Sequence, residues 1–112
     1  MERTISWVKA ALKDFGEFPD PVQRKIVAAL RFAAKGEKAE TAKPMKGLGS
    51  GIYEIVVAHR GDAFRTVYAV QLGEDIWVIH AFQKKSKTGI ETPKQEIDLI
   101  VERLKRLKEQ LR

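Results

Sequence analysis

The sequence predicts an α+β domain: a small antiparallel β-sheet, made of an N-terminal strand plus a three-stranded meander, packed by two N-terminal helices and followed by a C-terminal helix. Three observations predict it. Apolar residues recur at helical spacing from Val8 to Ala33 and again from Ile97 to Leu111. Between them lie three runs rich in β-branched and aromatic residues, Ile52 to Ala58, Phe64 to Leu72 and Ile76 to Phe82. Short connections centred on Arg60-Gly61-Asp62 and made by Gly73-Glu74-Asp75 separate those runs, and connections that short join antiparallel neighbours.

Arg3 to Val8 alternates polar and apolar residues around Ile5 and Trp7, as a short first strand does. Val8, Ala11, Leu12 and Phe15 then mark a helix that Gly16 and Pro19 stop. Asp20-Pro21-Val22-Gln23 offers an N-cap, a proline at the first helical position and a capping-box partner, so a second helix is expected to start at Pro21. Its stripe of Val22, Ile26, Ala29, Leu30 and Ala33 is expected to be buried, with Gln23, Arg24, Lys25 and Arg31 in solvent, until Gly36 ends it. Lys35 to Gly51 has no apolar period and is expected as a loop, made basic by Lys43 and Lys46. Its glycines are not a phosphate-binding P-loop, because no Gly-Lys-Ser/Thr and no preceding strand accompany them. Thr92-Pro93-Lys94-Gln95 repeats the capping pattern, and Ile97, Ile100, Val101, Leu104, Leu107 and Leu111 form the stripe of the last helix. Its expected wet face carries Arg103, Arg106 and Lys108, left as an RNA-facing surface rather than as an anchor for a partner protein.

The 112 residues are 44% hydrophobic and 32% charged, which fits one domain, residues 1–112, around one core. A formal net charge of +6 favours an anionic partner, and nucleic acid is preferred to a membrane because no segment is apolar enough to insert. The absence of Cys excludes disulfides, thiolate metal sites and Cys nucleophiles. Met1 to Trp7 lacks the apolar run of a signal peptide, so the expected location is the cytoplasm. His59 and His80 are the only histidines and have no carboxylate pair spaced to join them, so neither a metal nor another cofactor is expected.

What remains is a set of cations and proton-transfer groups. RNA is cut without metal when its own 2′-hydroxyl attacks the adjacent phosphate, which needs a base, positive charge on the phosphorane and an acid for the leaving oxygen. Arg65, inside a strand, is the first candidate for gripping phosphate; the alternative is a structural salt bridge to Glu54 or Asp62. Strict alternation puts His80 on one face with Ile76, Val78 and Phe82, as a candidate acid or base or as a hydrogen-bonded core residue. Lys84 and Lys85 at the strand's end are candidates to add charge beside Arg65, while Lys43, Lys46, Tyr53, Phe82 and Lys87 are candidates to bind RNA. Tyr53 and Tyr68 have packing as their alternative role.

These segments resemble the RelE/ParE toxin superfamily, specifically its HigB-like, phage-derived branch. The resemblance spans nearly the whole chain. It rests on Ile52-Tyr53-Glu54-Ile55-Val56, Phe64-Arg65-Thr66-Val67-Tyr68, Ile79-His80-Ala81-Phe82-Gln83-Lys84-Lys85-Ser86 and Thr92-Pro93-Lys94-Gln95-Glu96-Ile97. It implies a RelE-like fold, a toxin that cleaves mRNA on the ribosome, and neutralisation by a helix-turn-helix, HigA-like antitoxin. The family's strand arginine corresponds to Arg65, and its signature histidine and lysines to His80, Lys84 and Lys85. One departure stands out: Val56 occupies a position where many relatives carry an arginine. The superfamily also includes gyrase inhibitors, so alternatives are a non-enzymatic basic binding module, a ParE-like gyrase inhibitor, and a degenerate toxin that retains only antitoxin binding.

Overall fold

The computed structural model describes residues 2–84 and 92–112. Its elements are β1 (Ile5–Trp7), α1 (Lys9–Phe15), α2 (Asp20–Ala34), β2 (Ala42–Pro44), β3 (Ile52–His59), β4 (Asp62–Ala69), β5 (Ile76–Lys84) and α3 (Lys94–Gln110). The five strands form one sheet in the order β1-β5-β4-β3-β2. The α+β class and the antiparallel meander β3-β4-β5 are as expected. Arg60 and Gly61, both at positive φ, make the two-residue turn between β3 and β4, a conformation in which glycine carries no Cβ penalty.

Two features of the sheet depart from expectation. β1 runs parallel to β5, so the sheet is mixed; everything from α1 to β4 lies between the two strands in sequence, which supplies the long crossover that a parallel pair needs. Arg3 fixes that edge by donating to the carbonyls of Val70, Glu74 and Asp75 at 2.7, 2.8 and 3.0 Å. Within the segment expected to be all loop, β2 pairs antiparallel with β3. Three residues ending in Pro44 are too short to show a period, and proline is tolerated because β2 is an edge.

Both capping boxes are absent. Pro19 and Pro93 occupy the N-cap positions, with no side-chain cap. Gln23 instead donates to the carbonyls of Gly16 and Phe18, tying the α1–α2 corner, and Thr92 is drawn to a carboxylate on the sheet. Pro93 thus sits one position earlier than the pattern predicts, whereas Pro21 sits one position later, second in a helix that begins at Asp20.

The helices divide between the sheet's faces. α1 and α2 cover one face, where Ala11, Phe15, Val22, Ile26 and Leu30 pack against Ile55, Val57, Phe64, Tyr68, Ile76 and Val78. α3 covers part of the other, where Ile100, Leu104 and Leu107 pack on Ile52, Val67, Ala69 and Ile79. Leu12, Val101 and Leu111, expected inside, are exposed, because the seven-residue α1 and the single helix α3 each bury only a narrow stripe.

Candidate nucleic-acid interface

Directly paired strand residues share a sheet face, so the register locates each candidate side chain. Lys43 lies across from Glu54, Val56 from Arg65, Arg65 from Phe82, and Ala63 from Lys84. These residues occupy the face that α3 covers, at the end its apolar stripe leaves unfilled. Val56, the departure from the family pattern, is the immediate cross-strand neighbour of Arg65.

His80 reaches this face through a β-bulge. Val67 pairs with His80 and Tyr68 with Val78, so Ile79 has no opposite residue and the alternation slips by one. Ile76 and Val78 therefore face α1 and α2, whereas His80 and Phe82 face the other way, stacked on each other with ring centroids 5.3 Å apart. This corrects the expected sharing of one face by His80, Ile76 and Val78. Strict alternation cannot foresee an inserted residue.

Two polar clusters join this face to α3. In the first, Arg65 donates through Nη1 to Glu54 Oε1 at 2.9 Å, and Thr92 donates through Oγ1 to Glu54 Oε2 at 2.7 Å. Arg65 and Glu54 are 6% and 7% exposed, so the ion pair is buried. Asp62, the other partner considered for Arg65, accepts instead from Gln83. In the second cluster, His80 Nε2 lies 2.6 Å from Glu96 Oε1 and His80 Nδ1 lies 2.7 Å from Arg103 Nη1. A guanidinium only donates. Nδ1 must therefore accept, which places the ring proton on Nε2, donated to Glu96.

Arg103 is thus drawn from the expected wet face of α3 into a contact with His80 and with the Ile79 carbonyl, whereas Arg106 and Lys108 remain exposed. Thr92 and Glu96 are not among the sequence candidates, and Arg103 is expected there only as part of an outward, RNA-facing surface. A signal was present: Glu96 and Arg103 sit in register with Ile100 and Leu107 at helical spacing, two polar positions inside an apolar stripe.

The remaining candidates divide. Lys46 is exposed in the turn between β2 and β3. Tyr53 lies on the opposite face, stacked on Tyr68 at 5.5 Å beneath α2, away from Arg65. Burial, with Tyr53 as a lesser contributor, pushes the Tyr68 phenol up to about 12. Lys85 and Lys87 lie outside the described residues. No group of three or more metal-binding side chains occurs among the described residues, and no described helix is long and apolar enough to cross a membrane.

The family model described as phage-derived protein Gp49-like matches residues 13–105. The chain belongs to the Gp49-like family. Its fold is that of the RelE toxins. A mutant of E. coli toxin RelE in the free state superposes with a TM-score of 0.63 at 19% identity, covering 95% of this chain and 98% of that one. The isolated E. coli RelE toxin gives a TM-score of 0.61 at 20% identity, covering 79% and 89%. The toxin–antitoxin complex RelBE2 from Mycobacterium tuberculosis gives 0.50 at 15% identity, covering 77% and 95%. Comparison with curated protein sequences yields no significant match.

Proposed function

We propose that this Gp49-like protein is the toxin of a type II toxin–antitoxin pair and cleaves mRNA on the ribosome without a metal. The observation that carries the reading is the gathering of Lys43, Arg65 and Lys84 on the one sheet face that its helix leaves partly uncovered. In this reading Arg65 stabilises the phosphorane, since a planar guanidinium donates two hydrogen bonds to phosphate oxygens. Lys84, with Lys85 following it in sequence, adds charge, and Lys43, Lys46 and Lys87 hold the flanking backbone. Phe82 supports the ring of His80. The antitoxin is a small helix-turn-helix protein of HigA type, a pairing in keeping with the toxin–antitoxin complex among the structural neighbours.

Induced expression tests the reading: translation stops and cuts appear within translated frames, while intact mRNA in arrested cells overturns it. On purified ribosomes, Arg65→Lys keeps the charge but loses the fork, and cleavage falls by about 100-fold or more while the protein stays folded at the assay temperature. Equal rates for Arg65→Lys, Lys84→Ala and wild type refute the site.

A second reading, a non-enzymatic module that only occupies RNA or a protein target, is favoured by the burial of Arg65 and His80 against carboxylates. It predicts that Arg65→Ala and Lys84→Ala lower binding and toxicity in proportion, with no cleavage product at any dose.

A further inference from the structure

His80 has both ring nitrogens engaged and is 2% exposed, so it is closed to a substrate hydroxyl as the expected base. The group that meets solvent is its neighbour. Glu96, in the first turn of α3, has a side chain 26% exposed, and only its Oε1 is engaged; Oε2 accepts no hydrogen bond among the described residues.

We propose that Glu96 is the general base of this site, and that His80 and Arg103 are its positioning residues; the proposal rests on the endonuclease reading above. The chain of contacts runs inward. Arg103 donates to Nδ1 of His80 and so fixes the proton on Nε2, and that N–H holds one oxygen of the Glu96 carboxylate. The other oxygen is left to accept a proton. A relay of contacts ties the start of the same helix to the phosphate-gripping group: Thr92, just before α3 and four residues from Glu96, bonds Glu54, which bonds Arg65. His80 and Arg65 are diagonal neighbours on adjacent strands of the same face.

The chemistry is a transesterification. Glu96 takes the proton of the RNA 2′-hydroxyl, and the 2′-oxygen forms a bond to the adjacent phosphorus. The bond from phosphorus to the 5′-oxygen breaks, and that oxygen leaves with a proton from the Lys84 ammonium. The products are a 2′,3′-cyclic phosphate and a 5′-hydroxyl, with no redox change. Arg65 faces the phosphate oxygens throughout.

Single-turnover cleavage of ribosome-bound mRNA tests the assignment. Glu96→Gln keeps an acceptor for His80 and loses the base, so cleavage falls by about 100-fold or more, whereas Glu102→Gln on the outer face of α3 cuts at the wild-type rate. Glu96→Ala is equally slow and regains rate with added formate, a small carboxylate that replaces the missing base and cannot repair an unfolded chain. Each variant is assayed well below its own melting temperature. Glu96→Gln cutting within threefold of wild type, or Glu96→Ala failing to respond to formate, overturns the base assignment alone. A wild-type protein that makes no cuts overturns the endonuclease reading, and this inference with it.

Discussion

The two faces of the sheet differ in what covers them. Beneath α1 and α2 the cover is a helical hairpin, wide enough to keep Ile55, Val57, Tyr68, Ile76 and Val78 dry along most of their length. The opposite face has α3 alone, whose apolar stripe reaches Ile52, Val67, Ala69 and Ile79. Beyond that stripe the same face carries Glu54, Arg65, His80 and Lys84. A single helix therefore separates core from candidate site, and its Glu96 and Arg103, with Thr92 just before it, mark the border. The lesson is physical: ionised groups persist inside a small domain where one covering layer is narrow enough to leave them partners and a route to water.

That contrast is open to measurement, first by truncating one core leucine on each side. Leu30 of α2 is fully enclosed, whereas Leu104 of α3 lies under a lone helix that can settle into the gap. Leu30→Ala is expected to cost about 4 kcal/mol and Leu104→Ala about 2 kcal/mol. Denaturant melts followed by circular dichroism read both, and equal losses would mean that α3 is packed as rigidly as the hairpin.

The second test uses Tyr68, on the dry face. Its phenol, ordinarily near 10.0, is pushed up to about 12 by burial and secondarily by Tyr53. The neutral form is favoured in the fold, so its contribution is complete below pH 10.0. Above that the unfolded phenol ionises while the folded one does not, and stability falls until the pH passes about 12. At about 1.4 kcal/mol per unit, the loss reaches about 3 kcal/mol. Tyr68→Phe removes this component. The wild-type melting temperature should therefore fall relative to that of Tyr68→Phe as the pH rises through that window, and parallel curves would refute the account.

Much of this difference between faces was visible in the residues themselves. The amphipathic stripe of α2, the meander and its tight turns follow from periods and turn chemistry, and Glu54 is one of the two salt-bridge partners that the sequence offers Arg65 as an alternative to phosphate. What escaped were features that depend on another part of the chain. The bulge at Ile79 shifts His80 across the sheet because of pairing with β4, which no period within β5 records. β2 is too short for any period and exists only because β3 offers it an edge. Thr92 and Gln23 match capping signatures locally, yet each donates instead to an oxygen elsewhere, Thr92 to the Glu54 carboxylate and Gln23 to the carbonyls of Gly16 and Phe18.

The border itself supplies the smallest expected effects, on two arginines three residues apart on α3. Arg103 reaches inward to His80 Nδ1 and the Ile79 carbonyl, while Arg106 lies exposed and pairs with Glu102 one turn back at 2.8 Å. Removing Arg103 leaves a buried ring nitrogen without its donor, at a cost of about 2 kcal/mol. Removing Arg106 breaks a hydrated pair that salt already screens, at a cost of about 0.3 kcal/mol. The decisive comparison is between Arg103→Ala and Arg106→Ala melts at low and high salt: the Arg103 loss persists at both, whereas the Arg106 loss fades as salt rises. If the two variants melt alike, the Arg103 contact does not anchor α3, and the helix is held to the site face by Ile100, Leu104 and Leu107 together with the Glu96–His80 contact.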